Sequence, residues 1–422
     1  MNLKTLLVSG FALFAMFFGA GNLIFPPYLG ITGGNNWWIG FICFFFVEVL
    51  SCVGIYAMIH GGGSIKAMNK SVGAVPGMIL NTAAILCTGV LIAPPRTAAT
   101  TYEMAILPLT DTISQFAFSV IFFLIVMALT IRPTQIVDIV GKFLTPVLII
   151  GILLLIVVGI ANPIGSIGTA TSMHIARDGI NAGYQAMDII SVAGFAIVIQ
   201  DSLTTSGYNG WQEQKRHVAG SSYVAAFLLA VVYGGLTYLG ATASTTFSPN
   251  IEQAELIVAI TEKLMGKFGV VVLGIVVGFA CLTTAIGLFG ATAAYFARIT
   301  NGKMPYKLNI VLLSIIGCAI CNLGLTKIIE LASPILSVVC PPFMTTVILL
   351  FFQDYIPRSG VYKGAALFAT IASLFITIES YTNVFNFVTH MPLYNFGFAW
   401  LIPAVIGGII GSLLSKPSQP KL

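Results

Sequence analysis

The sequence predicts an all-α integral membrane protein. Its twelve transmembrane helices would form a five-plus-five inverted repeat with discontinuous helices 1 and 6, followed by two additional helices. Three observations carry that prediction. Of 422 residues only 8% are charged and 57% are hydrophobic, whereas a soluble domain usually carries about 25% charged residues. A mean hydropathy of +0.98 makes lipid the natural solvent. Twelve stretches approach the ~20 mostly apolar residues that a spanning helix needs. Two of them, the first and the sixth, carry helix-weakening residues in mid-span, and an offset of five spans gives them opposite orientations. The same composition excludes other classes. Thirty Phe and 14 Tyr are too many for a disordered chain, and a net charge of +5 scattered singly or in pairs offers no nucleic-acid surface.

In chain order the spans fall at 6–30, 37–59, 77–101, 114–131, 137–161, 183–203, 220–241, 268–296, 308–325, 329–352, 362–380 and 397–415. The first five (residues 1–161) make one repeat, the next five (183–352) its inverted partner, and 362–415 holds the additional pair. The loops at 162–182, 204–219 and 242–267 are too short for a soluble domain, so residues 1–422 read as a single membrane domain. The opening run LLVSGFALFAMFFGA resembles a signal-peptide core. It continues apolar as far as Tyr28 and is followed at once by a second span, so it reads as a first transmembrane helix. With the amino terminus inside, fourteen of the 19 Lys and Arg fall in cytoplasmic loops, Lys142, Lys416 and Lys421 among them. Arg96, Arg177, Lys263, Lys267 and Lys327 remain outside. The positive-inside rule therefore puts both termini in the cytoplasm of a bacterial cell membrane. The seven Cys lie in or beside apolar runs and read as packing residues, including the Cys318–Cys321 pair.

Inside hydrocarbon every backbone amide needs a partner, so a glycine or proline cluster in a span marks tight packing or a break that lines a cavity. Gly19-Ala20-Gly21-Asn22, followed by Pro26-Pro27, is the clearest such cluster. The sixth span, GYQAMDIISVAGFAIVIQDSL, has Ser191, Ala193 and Gly194 at its centre and Asp188 one and a half turns earlier, and reads as a second broken helix. Half-helix amino ends direct partial positive charge at an anion, while carboxyl ends and unwound carbonyls face a cation. A zwitterion suits that arrangement. In the eighth span Ala280, Thr283 and Thr284 offer one carbonyl and two hydroxyls. With the carbonyls of Ala15 and Phe18 from the broken first helix they would surround a small cation such as sodium, unless both threonines bond only within their own helix.

Glu48 in the second span and Asp188 in the sixth are carboxylates at membrane depth, each expected to be functional or paired. Either accepts hydrogen bonds from the loosened helix ends, which is the structural reading, or carries a transported proton. Arg96, after Pro94-Pro95, reads as an anchor at the membrane interface, as an outer gate paired with Glu103 or Glu379, or as a contact for an arriving carboxylate. Asp201 lies near the cytoplasmic end of its span and reaches water. The four His are too widely spaced for a metal site. There is neither a Walker A sequence nor a G-x-S-x-G elbow, so ATP and esterase chemistry have no sequence support. With no cofactor motif, the expectation is a non-enzyme driven by an ion gradient.

The segments FALFAMFFGAGNLIFPPYLG (11–30), PPRTA (94–98), GYQAMD (183–188) and ACLTTAIGL (280–288) resemble, in order, those of the bacterial branched-chain amino acid carrier family. That resemblance implies a leucine-transporter-like fold and import of leucine, isoleucine and valine together with a cation, usually sodium. It also implies substrate contacts at Gly19, Ala20, Gly21 and Asn22, opposed by Ala193, Gly194 and Phe195. The sodium site it implies comprises Ala15, Phe18, Ala280, Thr283 and Thr284. Proton coupling through Glu48 or Asp188 is the rival within transport, and a channel is the rival outside it.

Overall fold

The computed structural model describes residues 3–110, 112–132, 144–356 and 358–415, and among them every regular element is helical. Residues 137–143 of the fifth expected span, together with Lys142, Lys416 and Lys421, lie outside the described residues. In chain order the helices are α1 (Leu3–Phe17), α2 (Ala20–Gly33), α3 (Trp37–His60), α4 (Ser64–Val72), α5 (Ala74–Leu86) and α6 (Ala93–Thr101). After them come α7 (Gln115–Thr130), α8 (Thr145–Ala161), α9 (Ile175–Ala186), α10 (Asp188–Thr205) and α11 (Trp211–Thr242). The chain ends with α12 (Gln253–Ile299), α13 (Tyr306–Cys321), α14 (Leu325–Phe351), α15 (Ser359–Thr382) and α16 (Leu401–Leu414). Among the described residues seven helical segments are long and apolar enough to cross a membrane, and five shorter apolar helices accompany them.

Three elements differ from the sequence reading. The sixth helical segment begins at Ile175, eight residues before the expected Gly183, because α9 is amphipathic: Arg177, Asp178 and Asn181 face an open cavity while Gly179 and Ile180 are buried. The helix expected from 268 starts at Gln253 and turns at Gly266, whose φ of 61° and ψ of −154° suit a residue without Cβ. The third span, expected as one helix over 77–101, is interrupted by π-helical turns, and Pro94 and Pro95 lie within it. They occupy the first turn of α6, where a missing N–H costs nothing, between π-helical turns at Cys87–Leu91 and Tyr102–Ile106.

Burial separates a centre from a periphery. In the most apolar window of the segment Ile175–Thr205, 89% of residues are buried, against 39% in that of Ser359–Thr382. The broken first and sixth segments therefore run through the middle of the bundle, wrapped by α3, α11 and α12. Outward-facing residues such as Phe116, Ile150 and Phe227 are exposed apolar side chains, which fit lipid and not water. Glycines set the closest approaches. Gly30 of α2 lies against Thr237 and Gly240 of α11, and Gly360 and Gly364 of α15 lie against Gly407 and Gly411 of α16. At each of these a Cβ would strike backbone of the neighbouring helix. All seven cysteines are free thiols.

Candidate functional site

The first interruption falls where the sequence places it. α1 ends at Phe17, Gly19 is extended (φ −113°, ψ −159°), and α2 begins at Ala20. The last carbonyls of α1 have lost their helical donors, and threonines of α12 reach them instead. The Thr283 hydroxyl donates to Ala15 O (2.8 Å) and shares its proton with Ala280 O (2.9 Å). Thr284 donates to Met16 O (3.1 Å) and Ala15 O (3.3 Å). A Cβ at Gly19 would stand 2.9 Å from Thr284 Oγ1, so glycine is what lets the hydroxyl close on the helix end. The result is a buried cluster of five neutral oxygens.

Four of the five expected cation ligands, Ala15, Ala280, Thr283 and Thr284, therefore meet. Phe18 contributes a ring, stacked on Phe14 at 5.3 Å, and its N–H bonds Phe14 O; its carbonyl is not among the oxygens the threonines touch. Met16 was not anticipated, although it follows from the rule that the last carbonyls of a helix lack intrahelical partners.

On the other side of this interruption, Gly19 provides no side-chain cap for α2, so the first amides of α2 have no side-chain partner at the positive end of its dipole. Gly21 keeps the approach open. A Cβ there would lie 3.0 Å from both Arg96 Nη2 and the Phe25 ring, and 3.2 Å from Ala186 Cα. Pro26 and Pro27 lie inside α2 without ending it.

The second interruption differs from the expected position. α9 and α10 meet at Met187, which adopts a left-handed conformation (φ 71°, ψ 5°). Ser191, Ala193, Gly194 and Phe195 are helical, one to two turns further on. Gly194 serves packing: a Cβ would stand 2.7 Å from Ala291 Cβ of α12. Phe195 meets the Phe17 ring edge-on at 5.3 Å. Phe195 thus backs the end of α1, and Ala193, Gly194 and Phe195 lie within the helix α10 and not in an unwound stretch. The segment that meets Gly21 and Asn22 is Gln185–Asp188.

Arg96 holds that segment. Its Nη1 donates to Gln185 O (2.6 Å) and its Nη2 to Ala186 O (3.4 Å), so a full positive charge caps the carboxyl end of α9. The guanidinium lies 6.0 Å from the Phe25 ring centroid and is 3% exposed, which rules out anchoring in water. Nor is it paired with the acids suggested from sequence: Glu103 accepts from Leu325 N and Glu379 from Phe385 N.

Glu48 and Asp188 converge. Asn22 Nδ2 lies 2.9 Å from Glu48 Oε2 and 2.9 Å from Asp188 Oδ2, and it also meets the Tyr233 hydroxyl. Tyr233 OH donates to Glu48 Oε2 at 3.3 Å. All four side chains are buried. Tyr233 went unmarked in the sequence, where one hydroxyl in an apolar run carries little signal.

A cavity of about 710 Å³ leads to this region from the side of α2 and α9, lined by Phe25, Tyr28, Tyr184, Gln185, Ser337 and Trp400 among others. Ion pairs join helix ends on the opposite side. Arg298 Nη2 contacts both Asp201 oxygens (2.5 and 2.7 Å), and His60 meets Asp354 at 3.0 Å. Asp201 reaches water as expected, with a side-chain exposure of 48%.

Comparison with known proteins adds four findings. A family profile described as branched-chain amino acid transport protein matches residues 2–418. The chain is 33% identical over 427 residues to the branched-chain amino acid permease BrnQ of Bacillus subtilis (strain 168), covering 97% of this chain and 96% of that one. It is 30% identical over 415 residues to the BrnQ permease of Escherichia coli (strain K12), covering 96% and 94%. Among solved structures, a Na+-coupled sialic acid symporter in a substrate-bound outward-open state aligns with a TM-score of 0.66 at 14% identity, over 99% of this chain and 91% of that chain. At that identity the likeness concerns the fold alone.

Proposed function

This chain belongs to the family of branched-chain amino acid transport proteins, and on that premise we propose that it imports leucine, isoleucine and valine by symport with sodium. It is a multi-pass bacterial membrane protein, and relatives named as permeases make it a transporter and not an enzyme. The observation that carries the finer reading is the first interruption. There an uncapped helix amino end suited to a carboxylate adjoins five buried neutral oxygens suited to a hard cation.

In this reading the substrate carboxylate meets the amides of Ala20, Gly21 and Asn22, while its ammonium faces Asp188. Sodium displaces the Thr283 and Thr284 protons from Ala15 O, Met16 O and Ala280 O and is bound by all five oxygens. Phe25 and Ala186 flank the gap left by Gly21 and give the aliphatic side chain an apolar wall. One methylene is worth only about 1 to 3 kcal/mol in such a pocket, so the three substrates share one site. Ala193, Gly194 and Phe195 support the cation site from behind.

The architecture that accompanies this function has twelve spans, both termini cytoplasmic, and a five-plus-five repeat. Its second half begins with α9 at Ile175. The large cavity is then the outward vestibule, and the Asp201–Arg298 and His60–Asp354 pairs close the inner side.

Uptake of labelled leucine into liposomes, with sodium varied at fixed pH, tests both parts. Accumulation is expected only with an inward sodium gradient, together with saturable exchange against unlabelled leucine. Undiminished accumulation without sodium would overturn the ion assignment in favour of protons. Flux that rises linearly with concentration would overturn the carrier in favour of a channel.

A further inference from the structure

Two acids at the centre of the bundle have one nearby cation, Arg96, between them. Glu48 Oε2 and Asp188 Oδ2 both lie 2.9 Å from one nitrogen, the amide of Asn22. The two carboxyl groups thus converge on a single donor, with both side chains buried. Two ionised carboxylates gathered on one neutral amide repel each other, and a proton on one of them removes that repulsion.

The surrounding charges point the same way. Arg96 is the nearby cation, and its two placed donors go to backbone carbonyls and not to either acid. One guanidinium offsets one carboxylate. Glu48 Oε1 is fully buried and has no hydrogen-bond partner among the described residues. A bare oxygen is tolerable on a neutral carboxylic acid and far costlier on a carboxylate. Asp188 is the first residue of α10, where the helix dipole favours its negative form. The other titratable groups within electrostatic reach are Cys52 on α3, Tyr233 on α11, Cys281 on α12 and Cys340 on α14, each neutral in its ordinary form.

We propose that Glu48 and Asp188 hold a single resident proton between them, carried on Glu48, and that it lets α3 and the start of α10 meet at Asn22 of α2. Asp188 keeps its charge, balanced by Arg96. Loss of the proton at alkaline pH sets two negative charges against each other beside the amides that receive the substrate carboxylate, so leucine binding falls. This makes the pair a pH-sensitive clamp on the broken helices and not a carrier of transported protons. Its effect on leucine rests on the transport reading above, whereas its protonation does not.

Infrared spectroscopy of the purified full-length protein reads the proton directly. At neutral pH the wild type minus Glu48→Gln difference spectrum should contain the carbonyl stretch of a protonated carboxylic acid, shifted in D2O. In the wild type that band should fade on alkalinisation together with leucine binding. Glu48→Gln, whose amide mimics the neutral acid, should bind leucine within about threefold of wild type and lose the alkaline fall. Absence of the band from the difference spectrum, or an alkaline fall that survives in Glu48→Gln, overturns the proposal. If that variant does not fold, Tyr233→Phe removes the hydroxyl facing Glu48 Oε2 and should move the wild-type band, and an unmoved band overturns it. A protein that carries the band but takes up no leucine would sink the transport reading and leave the acid pair standing.

Discussion

The two interrupted helices solve one physical problem in opposite ways. Each break strands carbonyls in a medium without water. At the first, the stranded oxygens of Ala15 and Met16 are met by the hydroxyls of Thr283 and Thr284, neutral donors that can rotate away. At the second, those of Gln185 and Ala186 are met by the guanidinium of Arg96, a charge that cannot leave. The difference teaches that one break is met by neutral groups able to change partners, whereas the other carries a fixed cation.

The strongest way to break that comparison is to remove the permanent charge. Arg96→Met leaves the α9 carboxyl end uncapped and Asp188 unbalanced, and should cost about 3 to 5 kcal/mol of stability. Thermal unfolding in detergent should drop whether or not sodium is present, and a loss rescued by sodium would show that the second break also accepts a free cation. Gly21→Leu fills the gap between α2 and α9 and should weaken leucine binding by at least about 100-fold, ~2.7 kcal/mol. Normal binding by calorimetry would mean that the first break is only a kink.

Thr284→Ala removes one rotatable donor and should weaken sodium dependence by roughly tenfold, in line with about 1 to 1.5 kcal/mol for one such ligand. Its melting temperature should change little, and wild-type sodium affinity would delete Thr284 from the site. Smallest is Arg298→Gln. The Asp201–Arg298 pair is nearly half exposed, and such pairs contribute about 0.2 to 1 kcal/mol. A shift of at most a fewfold toward the inward-open state is expected, read as faster labelling of a cysteine introduced beneath the site.

The first break was legible because its chemistry is local. Gly19 and Gly21 frame it, Asn22 is polar at membrane depth, and an adjacent threonine pair in a distant apolar run has few other uses. Glu48 and Asp188 stood out for the same reason, since carboxylates are expensive in hydrocarbon. The second break was misplaced because nothing local marks Met187. Its left-handed backbone costs about 1 to 3 kcal/mol and is sustained by Arg96, some ninety residues away, a tertiary cause that a sequence pattern does not display. Gly194 misled by being a real packing glycine. The start of α9 was hidden because polar residues facing a watery cavity look like a loop, and Tyr233 and Met16 matter only through what folding brings beside them.

The seam between α15 and α16 has a consequence for any cycle the centre performs. Where Gly360 and Gly364 rest on Gly407 and Gly411, main chain approaches main chain, and only Ser415 and Phe368 place side-chain atoms beside the contact. So close a seam favours movement of these two helices as one unit.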